Sequence, residues 1–531
     1  MFYHLGRFAA RYRWLIVGLW LCAAAIALPF APQASNVLQP GGFISPTSES
    51  ERAIDLLTQK LGVQPTIVQI IFTSQKYTAD DPHFVQESEQ ALAGLRAWSE
   101  ISSVSSFTTN PRQISLDRHA AYVDVTLNID SDNAPKLLPE LRQRLSKVPD
   151  LQASVGGSPV FYADIQAVSE RDLRRAEMLA FPFAIIALLL VFRSVVAAVL
   201  PALVGGAAVL VTLALIFGLG HMLPLSIFVL NIITLFGLGL GVDYSLFIVS
   251  RFREELARGR PVEEAVAITV ATAGRAVTFS GLTVSIGLFG LVIFPINMLR
   301  SVGLGGVLVV AMAVLAAITI LPAALSIMGP RINAFPVRLP RLWKKPAAEH
   351  HGFWYRLSHF VMRYPVRIFV PVLLILIALG LPFLSVRFSS PDASILPTDV
   401  PSRQAYDLLA TRFNARETTP IVLVVQTRGT VMTGANIRDL YNYVLRIEAD
   451  PRVARVDSIV SADPRFTLDQ YELLYQHPQL NTDLYLTTLA RSTVSGNTLV
   501  IAVISKYNAL DLRSQALALT IRNTPPGHGM H

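Results

Sequence analysis

An acidic residue, Asp243, interrupts a stretch of sequence that is otherwise uncharged from Leu223 to Ser250. It precedes the basic residue Arg251 by eight positions, which places it roughly 12 Å inside the end of a helix. An ionised carboxylate at that depth in hydrocarbon costs several kcal/mol, so the group should be neutral or closely partnered. The neighbouring Tyr244 hydroxyl can both donate and accept a hydrogen bond. We therefore predict that Asp243 and Tyr244 form a proton relay, and we predict neither a catalytic residue nor a metal ligand.

Small residues around this pair predict close packing of helices. Gly237 and Gly241 are four positions apart, a spacing that lets two membrane helices approach each other, and Gly239 lies between them. The next apolar run supplies Ser280 and Gly281. We expect these five residues to pack neighbouring helices around the relay.

Plainer interpretations of the acidic and aromatic residues stay open. Asp243 could simply hydrogen-bond a neighbouring serine or a backbone carbonyl, and Tyr244 could be a packing aromatic with a satisfied hydroxyl. Glu177 is another acidic residue, at the edge of an apolar run. We expect it to form an ion pair with Arg174 or Arg175 at the membrane interface.

Membrane helices are the elements that must position these residues. Of the 531 residues, 52% are hydrophobic and only 15% are charged, which indicates a protein embedded in the lipid bilayer. Apolar runs of spanning length, about 20 residues, predict seven crossings. They lie near 14–32, 176–193, 195–220, 224–250, 276–297, 299–329 and 367–386. Residues 1–32 hold the first membrane helix, 174–330 a bundle of helices two to six with an interfacial helix at 261–273, and 367–386 the seventh helix.

The net charge of +8 reports membrane topology rather than nucleic-acid binding, because the basic residues gather at alternate ends of the apolar runs. The positive-inside rule places the N-terminus and a linker at 331–366 in the cytoplasm. The single cysteine, Cys22, excludes an intrachain disulfide and a zinc cluster of cysteines. Phosphate-loop and hydrolase motifs are absent from the sequence. We expect a protein that is not an enzyme, uses no cofactor and depends on a proton gradient.

An internal repeat relates the polar segments 33–173 and 387–531. A shift of about 352 residues aligns Tyr3 with Tyr355 and continues past the first membrane helix. Each segment is predicted to follow the order β-α-β-β-α-β, the split β-α-β arrangement of ferredoxin-like domains, which by itself indicates no function. The predicted fold class is an α-helical polytopic membrane protein with α+β extramembrane domains. Because the second copy of the pattern is incomplete, we expect the first half of a duplication and part of the second.

The stretch Gly239 to Leu256, GLGVDYSLFIVSRFREEL, resembles the fourth-helix signature of MMPL transporters, a family of the resistance-nodulation-division (RND) type. Ser280 to Val284 is similar to the fifth helix of that family, and the order of helices and outer domains is similar over essentially the whole chain. The resemblance implies that Asp243 and Tyr244 are the proton relay at the bundle centre. It also implies a bacterial inner-membrane location, extracytoplasmic porter domains, and proton-driven export of lipids or other hydrophobic compounds.

The family places a second Asp-Tyr pair on the equivalent helix of the second half, which this sequence does not reach. Another copy of the chain, or a separate half-transporter chain, is therefore a partner to consider. Three other functions stay open. The first is drug or toxin efflux by the same mechanism. The second is lipid or sterol sensing without transport, as in Patched-like proteins, which share the spacing from Gly239 to Asp243. The third is an accessory role in protein translocation, as in SecDF, although the outer-domain sequences do not look alike.

Overall fold

The computed structural model describes residues 1–39, 41–42, 48–62, 66–129, 133–337, 353–385, 392–413, 419–477, 484–508, 511–527 and 529–530. The fold is mostly helical, and its strands form two small antiparallel sheets. Residues 338–352 of the predicted linker at 331–366 lie outside the described residues.

The first part of the chain carries twelve of the described α-helices and the four strands of the first sheet. They are α1 (Phe2–Arg11), α2 (Arg13–Ala27), α3 (Glu49–Leu56), β1 (Ile67–Thr73), α4 (Pro82–Arg96), β2 (Ile101–Ser105), β3 (Ala120–Leu127), α5 (Leu138–Arg144), β4 (Gln152–Gly156), α6 (Ser158–Phe192), α7 (Val195–Gly220), α8 (Phe228–Ala257), α9 (Val262–Thr269), α10 (Arg275–Phe289), α11 (Asn297–Ile318) and α12 (Ile320–Met328).

The second part repeats this order as far as it is described. Its elements are α13 (Phe353–Arg363), α14 (Pro365–Gly380), α15 (Pro401–Arg412), β5 (Ile421–Gln426), α16 (Gly434–Glu448), β6 (Val453–Asp457), α17 (Leu468–Gln476), α18 (Leu484–Thr493), β7 (Val494–Ser495), β8 (Thr498–Ser505) and α19 (Leu512–Arg522).

Six helical segments among the described residues are long and apolar enough to cross a membrane, and α1 with α2 makes a seventh candidate, bent by 85°. The predicted first membrane helix, 1–32, is therefore not one straight helix. It bends because α1 is amphipathic and buries Gly6, Ala9 and Ala10, with Gly6 against the backbone of Ala267 at the C-terminal end of α9. Only α2 has the continuous apolar character of a span.

Two other membrane segments also differ from the prediction. The span expected at 176–193 is the C-terminal part of α6, a single helix of 35 residues that begins outside the membrane at Ser158. The helix expected at the interface, 261–273, is α9 and a π-helical turn that continue into α10, so that residues 262–293 form one apolar helix. The apolar pattern alone could not show either continuity, because it marks where a helix is apolar and not where that helix begins or ends.

The first extramembrane domain follows the predicted order of strands and helices. Its sheet has the strand order β2-β3-β1-β4, with every neighbouring pair antiparallel. Helix α4 packs on one face of this sheet, where Phe84, Leu92 and Leu95 are fully buried with Phe72. The second domain has the same order for its first three equivalent strands, β5-β8-β6, with β7 paired to β8.

The two domains exchange helices across their boundary. Helix α15 belongs by sequence to the predicted second domain, 387–531, but packs on the first sheet, where Leu409 and Phe413 cover Ile71 and Tyr122. Reciprocally, α3 contacts strand β5 of the second domain, and Glu49 pairs with Arg522 at 2.7 Å. A methyl group at Gly156 would lie only 2.9 Å from the Cβ of Ala405, so glycine is what lets α15 approach β4. The spatial domains therefore do not coincide with the sequence segments.

A half-buried carboxyl in the first domain predicts a pH effect on stability. Asp124 on β3 accepts hydrogen bonds from the side-chain amides of Gln69, at 3.2 Å, and Gln113, at 2.9 Å. Burial raises the pKa of Asp124, and the two hydrogen bonds oppose that rise only in part. The folded protein therefore binds the proton of the Asp124 carboxyl group more tightly than the unfolded chain does. The stability contributed by Asp124 is therefore present at low pH and is lost as the pH rises through the raised pKa.

We expect Asp124→Asn, which cannot ionise, to remove this pH dependence. The free energy of unfolding of the wild type should fall relative to that of Asp124→Asn as the pH rises from acidic to neutral. The measurement is denaturant unfolding in detergent, followed by the fluorescence of Trp98, which is buried in the same domain. A difference that grows in the opposite direction would refute the assignment.

Candidate functional site

The centre of the membrane bundle is formed by α8 with α7 on one side and α11 on another. The closest approach is between Gly241 of α8 and Gly205 of α7, where a methyl group on Gly241 would lie 2.5 Å from the Cα of Gly205. One turn earlier, Gly237 is buried against Val209 of α7 and Val309 of α11. These two glycines lie on the face of α8 that packs against its neighbours.

Tyr244 is directed into the protein. Its side chain is 5% exposed and belongs to the main core of the bundle. Its hydroxyl lies 3.6 Å from the position that a Cβ would occupy on Gly281 of α10, which is an ordinary contact distance. Within the described part of the chain the hydroxyl has no hydrogen-bond partner. The satisfied hydroxyl of the plainer interpretation is therefore not observed among these residues.

Asp243 is directed elsewhere, because successive residues of a helix are rotated by about 100°. It is exposed and faces a groove between α6 and α8 with a volume of about 330 Å3. Apolar side chains such as Phe181, Leu188 and Leu238 line most of this groove. Asp243 makes no hydrogen bond or ion pair with any residue that the structure describes. The plainer interpretation, a hydrogen bond to serine or to a backbone carbonyl, is thus also not observed.

The five residues predicted to pack around the relay fall into two groups. Gly237, Gly241 and Gly281 are buried at helix contacts. Gly239 and Ser280 are exposed, and a Cβ on Gly239 would meet nothing within 4 Å. Gly239 lines the groove one turn from Asp243. The packing predicted for Gly239 and Ser280 is therefore not found among the described residues, because these residues lie on the open faces of their helices.

Glu177 was expected to pair with Arg174 or Arg175, but Arg175 instead lies 3.9 Å from Asp172. Glu177 has no ion pair with a described residue and lines the same groove as Asp243. Its seven-residue spacing from Glu170 places the two acidic residues on one face of α6, a signal that the sequence contained.

The C-terminal end of α8 carries a buried cluster that sequence reasoning missed. Glu255 is fully buried and pairs with Arg251 at 2.7 Å, Arg258 at 2.7 Å and Arg260 at 2.9 Å. A buried carboxylate needs such partners, and the cluster joins the end of α8 to the turn before α9. The spacing of Arg251 and Glu255, four residues on a helix, was the available signal.

One group of side chains has the residue types of a metal site. His83 Nε2 lies 3.4 Å from Glu87 and 3.3 Å from Asp150 in the first extramembrane domain. Lys76 lies close enough for Asp150 to help raise its pKa, after the larger effect of Tyr77. These side chains lie in the first extramembrane domain and not at the membrane groove.

The structure combines a bundle of apolar helices, with an acidic residue in the central helix, and domains built on antiparallel sheets. This combination defines a multi-pass membrane protein. The chain belongs to the MMPL family of RND-type transporters, since the model of the MMPL family matches residues 43–368. The resemblance that the sequence suggested is confirmed.

Curated relatives support this membership. The trehalose monomycolate exporter MmpL3 of Mycobacterium tuberculosis is 31% identical over 491 residues, which cover 84% of this chain and 51% of the relative. The putative membrane protein SCO6666 of Streptomyces coelicolor is 33% identical, covering 74% and 57%. The mycolic acid-containing lipids exporter MmpL11 of Mycolicibacterium smegmatis is 31% identical, covering 70% and 40%. The chain spans about half the length of the MmpL3 protein that it matches.

A solved structure shares the fold. The cryo-EM structure of the hedgehog release protein Disp from the water bear Hypsibius dujardini aligns with a TM-score of 0.57. The alignment covers 99% of this chain and 78% of that one, at 14% sequence identity. At this identity the likeness concerns the fold alone.

The two glycines of α8 provide a matched test of the packing. We expect Gly241→Ala to destabilise the bundle by about 1–3 kcal/mol, because the new methyl group overlaps the backbone of α7. Gly239→Ala adds the same methyl group on the open face and should be neutral, or stabilising by up to about 1 kcal/mol through its higher helix propensity. The measurement is unfolding in mixed micelles as the fraction of denaturing detergent is raised. Equal effects of the two substitutions would contradict the observed contact.

Proposed function

We propose that this protein takes part in the export of lipids or other hydrophobic compounds across the bacterial inner membrane, driven by the proton gradient. The proposal rests on the position of Asp243. This residue lies in the central helix of the bundle, faces a groove and has no partner among the described residues. A carboxyl group in such a place gains from being neutral and can ionise when water or a cation reaches it. This is the property that a proton-driven cycle needs.

The lipid character of the substrate is supported by two observations. The MmpL3 and MmpL11 relatives are named as exporters of trehalose monomycolate and of lipids that contain mycolic acid. The groove beside Asp243 is lined mainly by apolar side chains, as a path for hydrocarbon requires. We assign the N-terminus to the cytoplasm and the two sheet domains to the outside, as porter domains of the ferredoxin-like type. The strand order β2-β3-β1-β4 supports that type.

Partner helices form part of the proposal. Helix α14 buries none of its residues against the described chain, although it is as apolar as the other spans. The face of α8 that carries Asp243 is also open. We propose that helices of a second half, supplied by a longer form of this protein, by another copy or by a separate half-transporter chain, cover these surfaces.

Neutralising the relay carboxyl tests the driving force. We expect Asp243→Asn to abolish proton-dependent movement of a fluorescent lipid in vesicles that carry the intact transporter, because an amide cannot take up and release the proton. Asp243→Glu, which keeps the carboxyl, should retain part of the activity. Equal membrane insertion of both variants is the control. Transport by Asp243→Asn at the wild-type rate would contradict the proposal.

A second substitution separates the two roles open to Tyr244. Tyr244→Phe removes a buried hydroxyl that has no partner among the described residues, so it should leave the bundle as stable as before or stabilise it by about 1–3 kcal/mol. If the hydroxyl belongs to the relay, the transport rate in the same vesicles should nevertheless fall by about a hundredfold. This is the lower end of the rate loss expected when a proton-transfer group is removed. Wild-type transport by Tyr244→Phe would leave it the role of a packing aromatic.

A further inference from the structure

The groove that Asp243 faces continues toward the extramembrane side. A second cavity of about 260 Å3 lies between the outer parts of α6 and α8 and is bounded also by the residues that follow α2. The two cavities share three lining residues, Leu173, Glu177 and Thr234, so they meet at this level. Together they form one path from the base of the first extramembrane domain to Asp243.

The two parts of this path differ in polarity. The outer cavity is lined by polar side chains from both helices, among them Gln166, Ser169, Glu170, Arg174 and Asn231. The inner cavity is lined by apolar side chains and, at its far end, by Asp243. Glu177 and Thr234 therefore lie where the more polar outer cavity, here called the vestibule, meets the apolar inner cavity.

Glu177 differs from Glu170, the other acidic residue of the vestibule, in the cavities that it lines and in its partners. Glu170 lines only the outer cavity and accepts a hydrogen bond from Gln166 at 3.1 Å. Glu177 lines both cavities, is half-buried, and has no hydrogen bond or ion pair with a described residue. Its carboxylate is available to accept a proton from one side and release it to the other.

We propose that Glu177 is the outer proton-collecting group of the transporter, which receives protons from the extracytoplasmic vestibule and passes them to Asp243. The inference rests on the proposed function of Asp243. A proton from water binds a carboxylate oxygen of Glu177, then moves through water in the groove to a carboxylate oxygen of Asp243. Glu177 returns to its ionised form, and no bond between heavier atoms changes.

The distances are compatible with a short chain of water molecules. Thr234 lies nine residues before Asp243, which corresponds to roughly 13.5 Å along α8. About four or five hydrogen bonds of roughly 2.8 Å span that length. The Thr234 hydroxyl donates its proton to the carbonyl of Leu230 at 3.0 Å, so its oxygen remains free to accept a hydrogen bond from the first of these waters.

The test measures protonation of Asp243 directly. The chain is reconstituted into lipid vesicles of defined orientation, the extracytoplasmic side is acidified rapidly, and the infrared band of the protonated carboxyl is followed in time. The band that disappears in Asp243→Asn belongs to Asp243. We expect Glu177→Gln to slow the rise of this band by about tenfold or more without changing its final amplitude. Glu177→Asp, which keeps a carboxyl, should restore most of the rate.

Asp172→Asn is the matched control. Asp172 lies on the same helix, is exposed and faces Arg171 and Arg175 instead of the groove, so its loss should leave the rate unchanged. A wild-type rate in Glu177→Gln, or an equal slowing in Asp172→Asn, would overturn the assignment of Glu177. It would leave the proposed function intact, because that function fails only if Asp243→Asn transports normally or removes no carboxyl band.

Discussion

The backbone contact between Gly205 and Gly241 fixes how α8 is turned about its own axis. At 100° per residue, that rotation decides where each side chain of the central helix lies. It places Tyr244 in the packed core beside Gly281 and Asp243 on the open groove. A methyl group on Gly241 would lie 2.5 Å from the Cα of Gly205 and would push the two helices apart, whereas one on Gly205 would meet Gly241 at an ordinary contact distance of 3.5 Å. The chemistry proposed for the site thus depends on the absence of a side chain at Gly241.

Adjacent residues of the relay consequently occupy different environments. Asp243 is exposed to the groove between α6 and α8, where water and charge can reach it from outside. Tyr244 is buried among α8, α10 and α11, where a hydroxyl without a partner is costly. The two side chains therefore lie on different sides of α8, with Asp243 on the accessible side and Tyr244 on the buried side.

Much of this architecture could be predicted from the sequence, because long apolar runs and alternating strands are local signals. Five of the predicted spans, the order of strands and helices along the first domain and the place of Asp243 within an apolar helix all follow from such patterns. The bend at Tyr12, the exchange of α3 and α15 and the open face at Gly239 could not be predicted. Each of these features depends on which part of the fold packs against the segment concerned. From sequence, a glycine on a packed helix face cannot be told apart from a glycine on an open face. The ion pair expected for Glu177 was wrong for a similar reason: Arg174 is close to it in sequence and lines the same outer cavity, but closeness along the chain does not fix which charges pair.

The exchange of α15 has a consequence for how the protein is made. Among the described residues, the surface formed by Ile71, Ala120 and Tyr122 is covered by Ala405, Leu409 and Phe413. Domains generally fold as the chain leaves the ribosome, N-terminal part first. The first sheet must therefore wait, with an apolar face uncovered, until the apolar helices between β4 and α15 and then α15 itself have been synthesised. During that interval the nascent protein presents an exposed apolar surface, which favours aggregation.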